Sequence, residues 1–209
     1  MSISYEALKR AYSRRLAAYV FIDGGYVMKI IRKFCTSNLA KDILDDPLKH
    51  ARFLEYLLSR FNSMELPPIG RVVVVRKLYY DAIVPLEDDS EEHERRKKFF
   101  DGLRLHMDMC EVKLGDRVKA KSGYRQKGVD TLIAIDMITK AFLGHYDVAF
   151  LVAGDRDFVS VVKAVKDYTG KLVLGIYEPK SASEELLRSF DRGYPIREDE
   201  VKNICNRLK

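Results

Sequence analysis

The sequence predicts an α/β fold with a central, mostly parallel sheet covered by helices on both faces. Three observations carry that expectation. Short β-branched and aromatic runs alternate with longer amphipathic segments along the chain, the pattern that right-handed crossovers turn into a parallel sheet. Val72, Val73, Val74 and Val75 follow one another with no polar alternation, as expected of a strand buried on both faces. The 209 residues, 47% apolar and 33% charged, describe one ordinary globular unit. A chain of this size hides roughly 70% of its unfolded surface, enough for a core without disulfides or a structural metal.

Taken in order, residues 1–16 read as a basic N-terminal helix, because Tyr5, Leu8, Tyr12 and Leu16 recur at helical spacing with Lys9, Arg10, Arg14 and Arg15 between them. Residues 17–22 read as the first strand. Asp23 ends that apolar run at the shortest length a signal peptide could have, no small-residue cleavage site precedes it, and no run approaches the roughly 20 residues of a membrane helix. Asp46-Pro47 opens a helix with the stripe Phe53, Leu54, Leu57, Leu58 and Phe61, and Pro67, Pro68 and Gly70 close it. The strand at 72–75 follows. Residues 87–98 place acids first and bases last, as the helix dipole favours, and continue to Phe99, Phe100 and Leu103 with a solvated face.

Residues 110–114 are a short strand, and Asp130 begins a helix over 131–142. Residues 147–152, 158–168 and 171–177 then alternate strand, helix, strand, with Gly170 as the helix stop. Ser181 and Glu184 form a capping box ahead of Leu186 and Leu187. Residues 198–209 are a last helix, carrying Val201, Ile204 and Leu208, packed on the same domain as 17–197. There is no repeat, low-complexity tract or linker.

Charge narrows the function. Thirty-seven Lys and Arg against thirty-one Asp and Glu leave +6, which points to a polyanionic partner once the excess is localised. Cys35, Cys110 and Cys205 are far apart and lack zinc-ligand spacing, so reduced thiols in a cytoplasmic protein are expected. His50, His93, His106 and His145 show neither ligand spacing nor a nucleophile partner. The absence of a Gly-x-Gly-x-x-Gly or Walker pattern argues against a nucleotide cofactor.

Ligands of open α/β sheets sit beyond the carboxyl ends of the strands, and here two apolar strands end in aspartates. The first runs into Asp23-Gly24-Gly25, and residues 149–152 run into Ala153-Gly154-Asp155-Arg156-Asp157-Phe158. Lys127-Gly128-Val129-Asp130 brings a third acid to a helix start. Each aspartate taken alone reads equally as a helix cap. Together they read as carboxylates that share a divalent cation, Mg²⁺ or Mn²⁺, since clustered like charges need one. Asp136, six positions beyond Asp130, either turns toward the same crevice or pairs with Lys140 at i+4.

The fragments Phe21-Ile22-Asp23-Gly24-Gly25, Leu78-Tyr79-Tyr80-Asp81, Gln126-Lys127-Gly128-Val129-Asp130 with Ala134-Ile135-Asp136, Gly154-Asp155-Arg156-Asp157-Phe158, and Ser183-Glu184-Glu185-Leu186 with Asp191 occur in the order of the NYN domain family. Over residues 17–197 the chain resembles these LabA-like members of the PIN-like nuclease superfamily. The resemblance implies a PIN-like three-layer sandwich and a metal-dependent ribonuclease site. It assigns Asp23, Asp130, Asp155 and Asp157 to the acidic site, Asp136 and Asp191 to secondary positions, and 5′-phosphate and 3′-hydroxyl ends to the products. Two positions depart from the family pattern. Gly25-Tyr26 stands where Asn is frequent, and Ala153 and Arg156 interrupt a Ser-Gly-Asp-Gly-Asp pattern.

The positive charge localises to a loop. Arg117, Lys119, Lys121, Arg125 and Lys127 place five cations in eleven residues with no acid among them, beside Tyr124 and leading to Asp130. Such a loop attracts phosphates and offers a ring for base stacking, or it merely solubilises. With Arg156, these residues make up the expected RNA contact. The expectation is thus a cytoplasmic endoribonuclease acting on single-stranded or structured RNA, with no membrane and an open oligomeric state, a homodimer included. Two rivals use the same residues: a catalytically weak RNA-binding or regulatory module, and a metal-dependent phosphatase.

Overall fold

The computed structural model describes residues 15–67, 69–120 and 123–209. The expected N-terminal helix over 1–16 falls outside them except at its end, where Arg15 and Leu16 are already strand. Strand β1 (Arg15–Asp23) lies at the centre of the sheet. It pairs in parallel with β3 (Gly70–Ile83) on one side and with β6 (Val148–Val152) on the other. Beyond β3 come β4 (Cys110–Ala120), parallel, and β5 (Gly123–Lys127), antiparallel. Beyond β6 come β7 (Leu172–Tyr177) and β8 (Arg192–Pro195), both parallel. The short β2 (Ser63–Leu66) adds antiparallel to β3.

Helices cover both faces, as the sequence predicts. Leu16, Ala18, Val20 and Ile22 turn to one face, against α1 (Gly24–Phe34), α2 (Ser37–Asp45), α3 (Pro47–Leu58), α4 (Ser90–His106) and α8 (Glu198–Arg207). Tyr19 and Phe21 turn to the other, against α5 (Val129–Phe142), α6 (Val159–Thr169) and α7 (Glu184–Ser189). Every residue of β6 is buried, which is why its sequence shows no alternation. Full burial of a side chain such as Phe21 or Phe150 contributes about 1.5–3 kcal/mol before the entropy cost is subtracted.

Several expectations are corrected. The basic segment read as a loop is an antiparallel ribbon of β4 and β5, with Lys119 opposite Tyr124 and Val118 opposite Arg125. The capping box does not form. Ser183 is the N-cap of α7, and Ser181 instead directs its hydroxyl to the Tyr26 hydroxyl and the Glu178 carbonyl, at 3.3 and 3.4 Å. Cys35 and Cys205, expected as thiols, are joined in a disulfide because α8 returns to pack beside the end of α1. Cys110 is free, its thiol pushed up to about 12 by burial.

Candidate active site

The chain turns back on itself at β1. From β1 it proceeds to β3 and β4 with helices on one face, then returns to β6, β7 and β8 with helices on the other. A crevice follows at the carboxyl ends of β1 and β6. Register levels the two strands, Ile22 pairing with Val152, so Asp23 and the Ala153-Gly154-Asp155 turn leave the sheet side by side.

Asp23 caps α1, accepting from the Tyr26 amide at 3.1 Å. Burial raises its carboxyl to about 6 against the lowering pull of that hydrogen bond, and Asp130 and Asp81 add repulsion. Asp130 lies in the first turn of α5, which begins after Gly128 in the left-handed region at φ 81°, a conformation that explains the glycine. Its carboxyl is raised by desolvation and then by the charges of Asp155 and Asp157. Asp155 caps the short 3₁₀ turn Arg156–Phe158, accepting from the Asp157 amide at 3.1 Å. The helix-cap reading is therefore true of Asp23 and Asp155, yet caps alone do not explain four carboxylates coupled through space. Lys29, exposed on α1, lowers both Asp23 and Asp130.

Tyr26 anchors this arrangement. Its hydroxyl accepts from the Glu178 amide at 2.8 Å, tying α1 to the end of β7. Its ring fills the space beside Gly154, where an added Cβ would come within 2.5 Å of Tyr26 Cε2. Burial raises the Tyr26 phenol. The departure at position 26 thus supplies a strut that holds the two aspartate-bearing turns together. Asp23, Tyr26, Lys29, Gly154, Asp155 and Arg156 line one open cavity with Lys180 and Ser181.

Asp136 is not in this group. It accepts from Tyr80 Oη at 2.7 Å and pairs with Lys113 at 2.6 Å and Lys140 at 3.6 Å. Burial works to raise its carboxyl, and these contacts outweigh it and hold it low. Asp191 stands at the opposite end of the sheet, accepting from the Val173 amide and paired with Lys166. Arg156 is exposed and bound to Glu185 at 2.6 Å. Arg117 lies 3.8 Å from Glu92, and Lys127 is exposed at the end of β5. Lys119, Tyr124 and Arg125 sit on the ribbon by their backbone, and Lys121 is outside the described residues.

Two residues escaped the sequence reading as site members. Asp81, buried on β3 and paired with Arg96 at 2.9 Å, adds to the field at Asp23. Its place in the Tyr79-Tyr80-Asp81 fragment was visible, but its burial was not. Lys29 carried no signal beyond one charge on an unrecognised helix. Among the described residues, no three His, Cys, Asp or Glu side chains stand close enough to hold one ion as placed. The donors are nonetheless all carboxylates, two of them disfavoured as anions by burial and mutual repulsion, which suits a hard divalent cation that keeps part of its water shell.

Fold and site together define a PIN-like α/β sandwich with acids at its strand ends. The chain belongs to the NYN domain family, whose pattern matches residues 17–197. A solved structure of a protein of unknown function from Vibrio parahaemolyticus shares the fold with a TM-score of 0.56, at 20% identity over 88% of this chain and 94% of that one. No curated protein matches significantly. The family supports a nuclease-like hydrolase with a nucleic-acid substrate. Among the described residues, no helix is long and apolar enough to cross a membrane.

Proposed function

We propose that this protein is a ribonuclease that hydrolyses RNA phosphodiester bonds with Mg²⁺ or Mn²⁺ held, directly or through water, by Asp23, Asp130, Asp155 and Asp157. The observation that carries the reading is the raised carboxyl of Asp23, about 6, with Asp130 raised beside it by the charges of Asp155 and Asp157. Carboxylates that oppose one another's ionisation at the ligand end of a sheet are suited to a cation. When bound there, such an ion lowers the pKa of a water and neutralises charge on phosphoryl oxygens.

The protein's own groups do the rest. The Asp23 and Asp155 caps fix two carboxylates on rigid turns, and Tyr26 holds those turns at a set spacing. Lys29 offers a cation to a phosphate lying over the aspartates. Endonucleolytic cutting and the cytoplasm belong to the same reading. A disulfide such as Cys35–Cys205 is uncommon in that reducing compartment.

The test is incubation of the purified protein with end-labelled RNA and DNA oligomers in Mn²⁺, Mg²⁺ or EDTA. Cleavage of RNA only with added metal is expected. Robust cleavage in EDTA would overturn the metal-based mechanism, and no cleavage of any RNA would leave an RNA-binding module of the same fold.

A further inference from the structure

A second recess opens beside the aspartates, on the sheet face covered by α1, α2 and α4. From α1 it is lined by Gly25, Met28, Lys29 and Arg32, the i, i+3, i+4, i+7 stripe of one helix. Lys29 also lines the aspartate cavity, so the two openings share a wall. The end of α2, the basic side of α4 and Arg117 of β4 close the other sides.

Lys29, Arg32, Arg95, Arg96 and Arg117 face Asp45, Asp81 and Glu92, so five bases against three acids leave an excess of two positive charges. The acids are already engaged. Arg95 holds Glu92 at 2.7 Å and Asp45 at 3.5 Å, and Arg96 holds Asp81 at 2.9 Å. Arg96 is fixed further over the rings of Phe99 and Phe100, at 4.8 and 4.5 Å. Lys29 and Arg32 are exposed and form no ion pair or hydrogen bond among the described residues.

The excess charge of two matches a phosphate monoester, which carries about −1.5 to −2 at neutral pH, better than the single charge of an internal phosphodiester. Guanidinium forks are suited to its oxygens. We propose that this recess binds the terminal phosphate of a nucleic-acid strand, with Arg32 as a primary contact and Lys29 leading the strand toward the aspartates. The proposal rests on the nucleic-acid reading above and makes this face an end-sensing subsite.

The test is binding by the full-length protein in EDTA, so that no hydrolysis is asked of it. Three RNA oligomers of one sequence are compared, with a 5′-phosphate, a 3′-phosphate or hydroxyls at both ends. One phosphorylated end should bind about tenfold tighter than the hydroxyl strand, the scale of one charge-assisted contact. Inorganic phosphate should compete that preference away. Arg32 is exposed, so Arg32→Ala and Arg32→Glu should keep the melting temperature of the parent and lose the preference. Equal affinity for all three strands would overturn the proposal, and so would an end preference that survives both variants. A protein that distinguishes strand ends but never cleaves fails only the catalytic reading, whereas one that cleaves and ignores strand ends fails only the recess.

Discussion

A carboxylate at a strand end can serve the fold, the chemistry or both, and Asp155 shows how the two separate. Asparagine caps a helical turn as well as aspartate does, so Asp155→Asn should keep the hydrogen bond to the Asp157 amide and leave the protein folded. It removes a charge that bears on Asp130, and metal-dependent RNA cleavage should fall by about a hundredfold or more. Near-parental rates at saturating metal would reduce Asp155 to a cap. His50 makes the opposite case, a titratable group with no part in the site. It is fully buried, with the rings of Tyr79 and Phe99 packed against it at 5.6 and 5.4 Å, and the Ile43 backbone is its one polar neighbour that favours the proton. Desolvation, then the charge of Arg96, lowers it from 6.5 to about 4. The unfolded chain therefore binds the His50 proton first as pH falls, and the His50 contribution to stability is lost between about 6.5 and 4, by up to about 3 kcal/mol at ~1.4 kcal/mol per unit, while the raised Asp23 carboxyl acts in the opposite direction over the same range. In chemical denaturation at pH 7 and pH 4.5, His50→Leu should fare better on acidification than the parent by up to that amount, and an unchanged pH 7-to-4.5 difference would remove His50 from the acid response. Of these residues the aspartates were legible, because motif and strand end coincide. The burial that tunes them was not, since it depends on neighbours distant in sequence.

Elements were legible where periodicity was strong and obscured where glycine or shortness hid it. The β1, β6 and β7 strands and the α3, α5 and α6 helices follow the apolar pattern within a few residues. The α1 helix was missed, because Gly24-Gly25 at its start reads as a breaker. Gly24 is there because the Tyr79 hydroxyl and the Tyr80 carbonyl approach to within 2.6 and 2.7 Å of where a Cβ would stand, a constraint set by β3. The β8 strand, four residues at the sheet edge, has too little pattern to detect. The basic ribbon of β4 and β5 was placed correctly along the chain but taken for a loop, its turn residues outweighing its strand pairing. As a ribbon, its backbone register is fixed, with Arg117 opposite Gln126 and Val118 opposite Arg125. Replacing Lys119, Lys121 and Arg125 together by Ala should flatten the salt dependence of log RNA affinity by up to about 2, at roughly 0.7 per phosphate contact. Maximal cleavage rate should change far less, because the aspartates remain. An unchanged slope would refute the clamp, and an equal loss of rate would put the ribbon inside the active site.

At the scale of the whole molecule, the sequence conveyed the layered sheet but not what closes it. Alternating strands and helices determine the layers locally, one crossover at a time. The Cys35–Cys205 pairing depends on where the final helix comes to rest after the entire sheet is built. Composition argued against it, because a chain this long needs no staple, and that argument concerns need rather than proximity. Val201, Ile204 and Leu208 bury α8 in the same apolar cluster as Ile30 and Ile31 of α1, and this packing brings the two thiols together. The bond spans a sequence separation of 170, and loop closure on that scale restricts the unfolded chain by an amount equivalent to about 5 kcal/mol. Reduction should therefore lower the free energy of urea unfolding by several kcal/mol with that value as the ceiling, and Cys205→Ser should reproduce the loss without reductant. Because α8 retains its apolar contacts, the reduced protein should stay folded at 25 °C in the absence of urea. The variant should also be indifferent to added dithiothreitol. If the oxidised protein and the variant unfold at the same urea concentration, the apolar packing of α8 holds the chain closed and the disulfide adds nothing to it.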